Sequence, residues 1–374
     1  SQKLYGIPVL AFNCEGYKGV SQSAGHHIAN NNLMKNVIGK GDKLSTKKHS
    51  INILGEYNIG GDEWEIRRVL EKIGYEIICT MTGDGAYEHI KNAHNADLDL
   101  VQCHRSINYI AEMLEKKYGI PWLKVNFIGI NSMTQSLRDV ATYFDDPELT
   151  AKTEEVIAKE TADVADTMEY YKSRLDGRTA FLYVGASRSH HYQAMLSDLG
   201  IETIISGYEF AHRDDYEGRE VIPNIKTDAD SKNIEHMEVE KDEKNYKLRI
   251  SDQRYDELKK SLSLGYYGGI IKDMKKGSVI IDDLNHYETE QLIKALKPDM
   301  FFSGIKDRYV VQKMGVPSKQ LHSYDYSGPY AGFRGAVIFA RDVASGVFTP
   351  AWKFVLAPWK VEPLLEGKVV GGDE

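Results

Sequence analysis

The sequence predicts an α/β protein whose mostly parallel sheets are flanked by helices, arranged as multiple Rossmann-like domains. Three observations lead there. Short apolar runs lack the polar–apolar alternation of half-exposed strands, as strands buried on both faces do. Each run is followed by a segment with helical spacing. The two alternate over most of the 374 residues, more than one ordinary core can use, which implies parallel sheets with right-handed crossovers.

The opening "KLYGIPVLAFNC" reads as a strand that starts without a cap or linker, which suits a chain whose natural beginning lies upstream. "SINILGEY" (Ser50–Tyr57) is a doubly buried strand. "DEWEIRRVLEKIG" follows with Trp64, Ile66, Val69, Leu70 and Ile73 assigned to one helical face, and Gly74 stops it. "YEIICTM" and "LDLVQC" are the next strands, with "AYEHIKNAHN" as a short helix between them. The helix "SINYIAEMLEKKYG" leads to "PWLKVNFIG", and one long helical region runs from about Ser132 to Leu175. The cycle then restarts with the strand "TAFLYVGAS", the helix "HYQAMLSDLG" and the strand "IETIISGYEF". It resumes through "GSVIIDD", "TEQLIKALKPD", "MFFSGI", "RYVVQKMG" and "KQLHSYDY". The expected division is residues 1–45 as the remnant of an N-terminal α/β domain with a site-facing loop, 46–175 as a second domain and 176–374 as a third. Within the third, 26 of the 60 residues from 217 to 276 are Asp, Glu, Lys or Arg, against 27% for the chain. That excess reads as an inserted surface excursion, solvated or facing another subunit, with a helix in "DQRYDELKKSLSL".

A net charge of −8 argues against non-specific nucleic-acid binding. No apolar run approaches the roughly 18–20 residues that span a bilayer. Three cysteines, Cys14, Cys79 and Cys103, suit a reducing compartment better than a disulfide framework, so a cytoplasmic location is expected.

Sites in such sheets form beyond the carboxyl ends of the strands. Reading those ends gives Gln22 and His26, then Tyr57 and Ile59, then Cys103, Arg105 and Ser106. Gly185, Ala186 and Arg188 follow, then Phe210, Lys306 and His322. The set is rich in Cys, His, Arg, Lys and Gln and nearly lacks carboxylates, so acid–base hydrolysis by paired carboxylates is not indicated. No GxxxxGK[ST] phosphate loop occurs. A lone cysteine at a strand end is ordinarily a small buried hydrophobe, and Cys14 and Cys79 are read so. The adjacent pairs His26–His27 and His190–His191 lack chelating spacing, since neighbours point to different sides. A thiolate suits iron in a sulfide cluster and an imidazole suits a harder metal. With no CxxC near it, Cys103 could not close a zinc site alone. Cys103 and His322 are therefore coherent as two grips on a preassembled cluster, ringed by Arg105, Arg188, Lys306 and His26 as donors.

"CEGYKGVSQSAGHHIAN", "GEYNIGGD", "CHRSINYI", "EKKYGIPW", "GYEFAHRDDY", "SGIKDRY" and "HSYDYSGPYAGFRGAVIFARD" stand in collinear order from about Lys3 to Trp359. Together they resemble the family of nitrogenase molybdenum–iron protein alpha subunits, including an insertion found in some members. The resemblance implies a catalytic subunit that reduces dinitrogen to ammonia on an iron–molybdenum cofactor with homocitrate. It implies a beta subunit in an alpha2beta2 heterotetramer, and an ATP-hydrolysing iron protein as electron donor. It makes Cys103 the iron ligand, His322 the molybdenum ligand and His26 a proton-delivering donor to a bridging sulfide. Gln22 and Lys306 match positions near homocitrate, and Arg188 lies beside the cluster with Arg105 and Ser106 as donors. Gly185 and Ala186 bring backbone N–H groups to sulfides, Ala186 replacing a glycine of the pattern. Tyr57, Ile59 and Phe210 line the pocket, and Met81 stands where relatives often carry tryptophan. The family's P-cluster (8Fe-7S) draws three cysteines from a region preceding this start, so no residue here is assigned to it. A cofactor-assembly scaffold paralogue and a vanadium or iron-only alpha subunit are the alternatives. The histidine pair disfavours the first, and the "VGASRSHH" and "HSYDYSGPY" loops disfavour the second.

Overall fold

The computed structural model describes residues 6, 7, 9–12, 22–42, 48–209, 237–266, 279–282, 284–304, 307–321 and 327–355. Nine described strands form two sheets, and every paired strand runs parallel to its neighbour. The first holds β1 (Ser50–Glu56), β2 (Glu76–Thr82), β3 (Leu98–Val101) and β4 (Trp122–Lys124) in the order β2-β1-β3-β4. The second holds β5 (Thr179–Gly185), β6 (Glu202–Glu209), β7 (Val279–Asp282), β8 (Met300–Ser303) and β9 (Ser318–Gln320) in the order β7-β6-β5-β8-β9.

Strand alternation explains how two sheets share one interior. Ile51 and Ile53 of β1, Ala180, Leu182 and Val184 of β5, and Met300 and Phe302 of β8 enter a single cluster between the sheets. Helices α2 (Asp62–Ile73), α5 (Ile130–Phe144), α6 (Pro147–Leu175), α7 (Ala186–Asp198) and α11 (Gly332–Val347) fill that layer. On the opposite faces, Leu54, Cys79 and Val101 pack under α1 (Gln22–Asn36) and α4 (His104–Tyr118). Phe181, Tyr183 and Phe301 pack near α9 (His286–Leu296) and α10 (Arg308–Lys313). Both faces of each sheet are covered, so the strands are mostly apolar, and among the buried exceptions Asn52 and Asp99 are joined by a 2.6 Å hydrogen bond from the Asn52 amide. Cys79 is buried as expected of a structural thiol, and burial pushes its pKa up. Met81 lies in the same cluster. No described helix is long and apolar enough to cross a membrane.

Four sequence expectations change. Trp64 is 60% exposed, because it lies about 200° around the helix from Ile66; Asp62, Glu63 and Glu65 join the buried side instead. The long helical region is two helices: Asp145 takes a left-handed φ of 53°, and Asp146 caps the second by accepting from the Glu148 and Leu149 N–H groups ahead of Pro147. The helix expected over "HYQAMLSDLG" begins earlier, at Ala186, directly after β5. The charged insertion is not a mere surface excursion.

Its described part, 237–266, packs on the first sheet although it follows a strand of the second. The Lys124 N–H donates to Ser263 and the Gly265 N–H to Trp122, extending the β4 edge, while Leu264 is fully buried. The Arg249 guanidinium donates to the carbonyls of Ala96 (3.2 Å), His94 (2.8 Å) and Tyr118. A short helix, α8 (Asp252–Leu258), follows, capped by Ser251. Arg249→Ala is expected to cost about 1.5–3 kcal/mol, the range for bonds made by a charged donor; a thermal midpoint unchanged from the parent protein refutes that docking role.

Candidate functional site

Each sheet has one place where its strand order reverses, and ligands of such folds bind outside the carboxyl ends there. In the first sheet the reversal lies between β1 and β3, and in the second between β5 and β8. Glu56 and Tyr57 emerge from β1, Cys103 follows β3, and Arg188 stands in the first turn of α7 after β5. The two crevices meet. Arg188 Nη2 lies 3.8 Å from Glu56 Oε1, and its guanidinium carbon is 5.7 Å from the Tyr57 ring centre.

Cys103 occupies the cap position of α4, with φ −101° and ψ 94°, because the helix begins at His104, two residues before the expected start. A helix N-terminus favours negative charge, so the position suits a thiolate. The thiol is half-buried and unbridged. Gln102 fixes the approach: its N–H donates to the Leu54 carbonyl at 2.9 Å, and its buried side-chain oxygen accepts from the Phe127 N–H at 3.1 Å. Gly55 supplies the room. A Cβ there would come 2.8 Å from the Cys103 nitrogen and 2.9 Å from its Cβ, at a φ of +79°. Gly55→Ala is expected to cost over about 1 kcal/mol from the left-handed backbone alone and to displace Cys103. Unaltered melting and thiol reactivity would contradict this.

Arg188 is largely buried, with Glu56 beside it. Glu56 is fully buried; its Oε1 accepts from the Tyr57 N–H (2.8 Å) and the Asn58 N–H (3.0 Å). Asp62, also fully buried, accepts through Oδ1 from Tyr330 (2.6 Å) and Ala331 (2.9 Å) N–H groups at the entry to α11. Burial pushes Glu56 up to about 7 and Asp62 up to about 6, against the pull of Arg188. For Arg188 itself burial favours the neutral form, but Glu56, Tyr192, Asp62 and Cys103 outweigh it and hold the guanidinium charged.

These acids correct the expectation of an almost carboxylate-free site. The signal was present: Glu56 is an acid at the end of an apolar strand, passed over in favour of Tyr57. Gln102 and Gly55 were missed as well, since only tertiary contact reveals their roles.

His26 lies half-buried on α1, its ring centre 6.4 Å from that of Tyr57, while the neighbouring His27 is buried against Tyr109 at 3.9 Å. The rings of this pair have different neighbours, but the ring centres of His190 and His191 lie 4.2 Å apart, against the expectation that such neighbours point to different sides. Ile59 is partly buried and leans on the central cluster. Gln22 opens α1, Arg105 and Ser106 lie in the first turn of α4, Gly185 ends β5 and Ala186 begins α7. Phe210, Lys306, His322 and Cys14 lie outside the described residues. Among the described residues no three metal-ligating side chains converge.

The family model described as "Nitrogenase component 1 type Oxidoreductase" matches residues 1–348. The chain belongs to that family. Along its whole length it is 60% identical to a nitrogenase molybdenum-iron protein alpha chain of Clostridium pasteurianum, covering 70% of that relative. It is 53% identical over 97% of its length to the corresponding chain of Methanosarcina barkeri, covering 68%. The solved structure "Nitrogenase Cp1 at pH 6.5" superposes with a TM-score of 0.91 at 61% identity, over 96% of this chain and 69% of that one. The protein is thus an oxidoreductase of the nitrogenase type, a catalytic subunit of the molybdenum form, and iron–sulfur and molybdenum chemistry belong to its family. The donor set fits such a group: a half-buried thiol at a helix N-terminus, a glycine cradle behind it and a charged guanidinium across the crevice.

Proposed function

We propose that this chain binds an iron–molybdenum cofactor with homocitrate in the crevice between its two sheets. There it reduces dinitrogen to ammonia, paired with a beta subunit in an alpha2beta2 heterotetramer. The observation that carries the reading is the meeting of the two switch points, with Cys103 and Arg188 on facing sheets. When bound, the cofactor supplies multi-electron redox chemistry at low potential. Cys103 offers its thiolate to an iron, His322 its imidazole to molybdenum, and Gly55 leaves room for Cys103. Arg188 balances negative charge, aided by Arg105 and Ser106, while backbone N–H groups at Gly185 and Ala186 approach sulfides. Tyr57, Ile59 and Phe210 would line the pocket, and Gln22 and Lys306 would offer donors to homocitrate. His26, half-buried beside Tyr57, is the proton-moving group, since an imidazole can both donate and accept a hydrogen bond.

The chain carries no phosphate loop of the GxxxxGK[ST] type, consistent with ATP hydrolysis on a separate iron protein that delivers electrons through a P-cluster (8Fe-7S). A cytoplasmic setting follows from the same chemistry. The test is purification of the heteromeric complex with metal analysis and an ammonia assay. Stoichiometric molybdenum with iron, and ammonia formed only with the iron protein and ATP, are expected. A complex free of molybdenum overturns the reading. His26→Gln is expected to retain the metal and to lose dinitrogen reduction more than proton reduction; equal losses refute the proton role.

A further inference from the structure

The buried carboxylates belong to no role derived so far. We infer that Glu56, backed by Asp62, is a positioning residue that holds the Arg188 guanidinium at the crevice, a step that rests on the placement of the cofactor beside Arg188.

The geometry is specific. Glu56 ends a strand of the first sheet, Asp62 opens the helix after it, and Arg188 belongs to the second sheet's first crossover helix. Asp62 also bonds the backbone that enters α11, tying that segment to the helix that follows Glu56, while Glu56 itself lies 3.8 Å from the cation. Each carboxylate spends one oxygen on two backbone N–H groups, while its second oxygen, Glu56 Oε2 or Asp62 Oδ2, is buried with no hydrogen-bond partner. A carboxylate oxygen left so is stabilised chiefly by a nearby positive charge. Arg188 is the largest charge acting on both acids. The backbone bonds fix where the acids sit, and the acids fix where the cation sits. The guanidinium is thereby kept at the crevice, 5.7 Å from the Tyr57 ring centre.

Isosteric neutralisation separates this role from a structural one. Glu56→Gln keeps an oxygen that can accept from the Tyr57 and Asn58 N–H groups, and Asp62→Asn does the same toward Tyr330 and Ala331, so the folds of both variants are preserved. In the assembled complex, three quantities are measured for Glu56→Gln, Asp62→Asn, Arg188→Lys and the double variants: molybdenum content, the electron paramagnetic resonance spectrum of the bound cluster, and the thermal midpoint. The expected result is a displaced spectrum in every single variant at retained molybdenum, with each double variant shifted no further than Arg188→Lys alone. The melting loss of Glu56→Gln should likewise shrink in the Arg188→Lys background. Parental spectra in both neutralised variants overturn the inference, as do shifts and melting losses that add independently. Either outcome leaves the cofactor assignment standing, because molybdenum content reports on that separately. Should Glu56→Gln not assemble, Asp62→Asn decides by the same criteria.

Discussion

Replacing Cys103 with alanine in the assembled complex is expected to strip the alpha chain of molybdenum and iron while leaving its fold intact. The two halves of that expectation have separate physical sources. The thiol is half-buried at a helix cap and belongs to none of the three apolar clusters. Its removal therefore costs little more than the roughly 0.8 kcal/mol of one buried methylene. Metal retention is different in kind. Among the described residues no group of three ligating side chains exists to compensate, and thiolate ligation is what anchors an iron–sulfur body. Metal analysis and circular dichroism on the same preparation read both halves. Full iron and molybdenum in a folded variant would mean that the thiol is not the anchor.

The largest stability effect is expected at Arg68→Ala, on the helix that Asp62 opens. Arg68 on α2 donates to Glu160 on α6 at 2.8 and 2.6 Å and to Glu65 at 2.7 and 2.8 Å. Both acids are buried. Breaking a buried pair leaves an uncompensated charge and costs about 3–5 kcal/mol. The lower figure applies here, because Lys72 remains 2.8 Å from Glu160. The Arg68 hydrogen bonds, outweighing burial and helped by Lys72, hold the Glu160 carboxyl at about 2, below its ordinary 4.5. A depressed folded pKa gives stability that is present above the unfolded value and is lost as pH falls through the folded one. The parent protein therefore loses this contribution between pH 4.5 and about 2, and Arg68→Ala should show a shallower loss across that window. Thermal midpoints in a pH series check both claims. Parallel curves for parent and variant would remove Arg68 from the account.

What the sequence disclosed follows from which forces act locally. Strands buried on both faces are mostly apolar, so β1, β3 and β5 are legible from residue type, although Asn52 and Asp99 are buried within two of them. The reversal of strand order places Tyr57, Cys103 and Arg188 at one crevice, and in the sequence each of them stands just beyond the end of an apolar run. Trp64 was misplaced because apolarity was counted ahead of angle around the helix. The break at Asp145–Pro147 was missed although an Asp-Asp-Pro run carries both a cap and a first-turn proline. The insertion was misjudged because charge suggests solvent, whereas Arg249 spends its charge on backbone carbonyls. Asp62 is invisible as a site residue, since its N–H partners come from 268 and 269 residues away, whereas Glu56 is legible as an acid at a strand end but its cation is not.

Anomalous diffraction from the assembled complex, at the iron and molybdenum absorption edges, tests the central claim most directly. One compact group of heavy atoms should occupy the space where the sheets reverse, its outermost iron bonded to the sulfur after β3 and its molybdenum beside the imidazole of His322. Iron located elsewhere in this chain, or that sulfur bare against protein atoms, would contradict it.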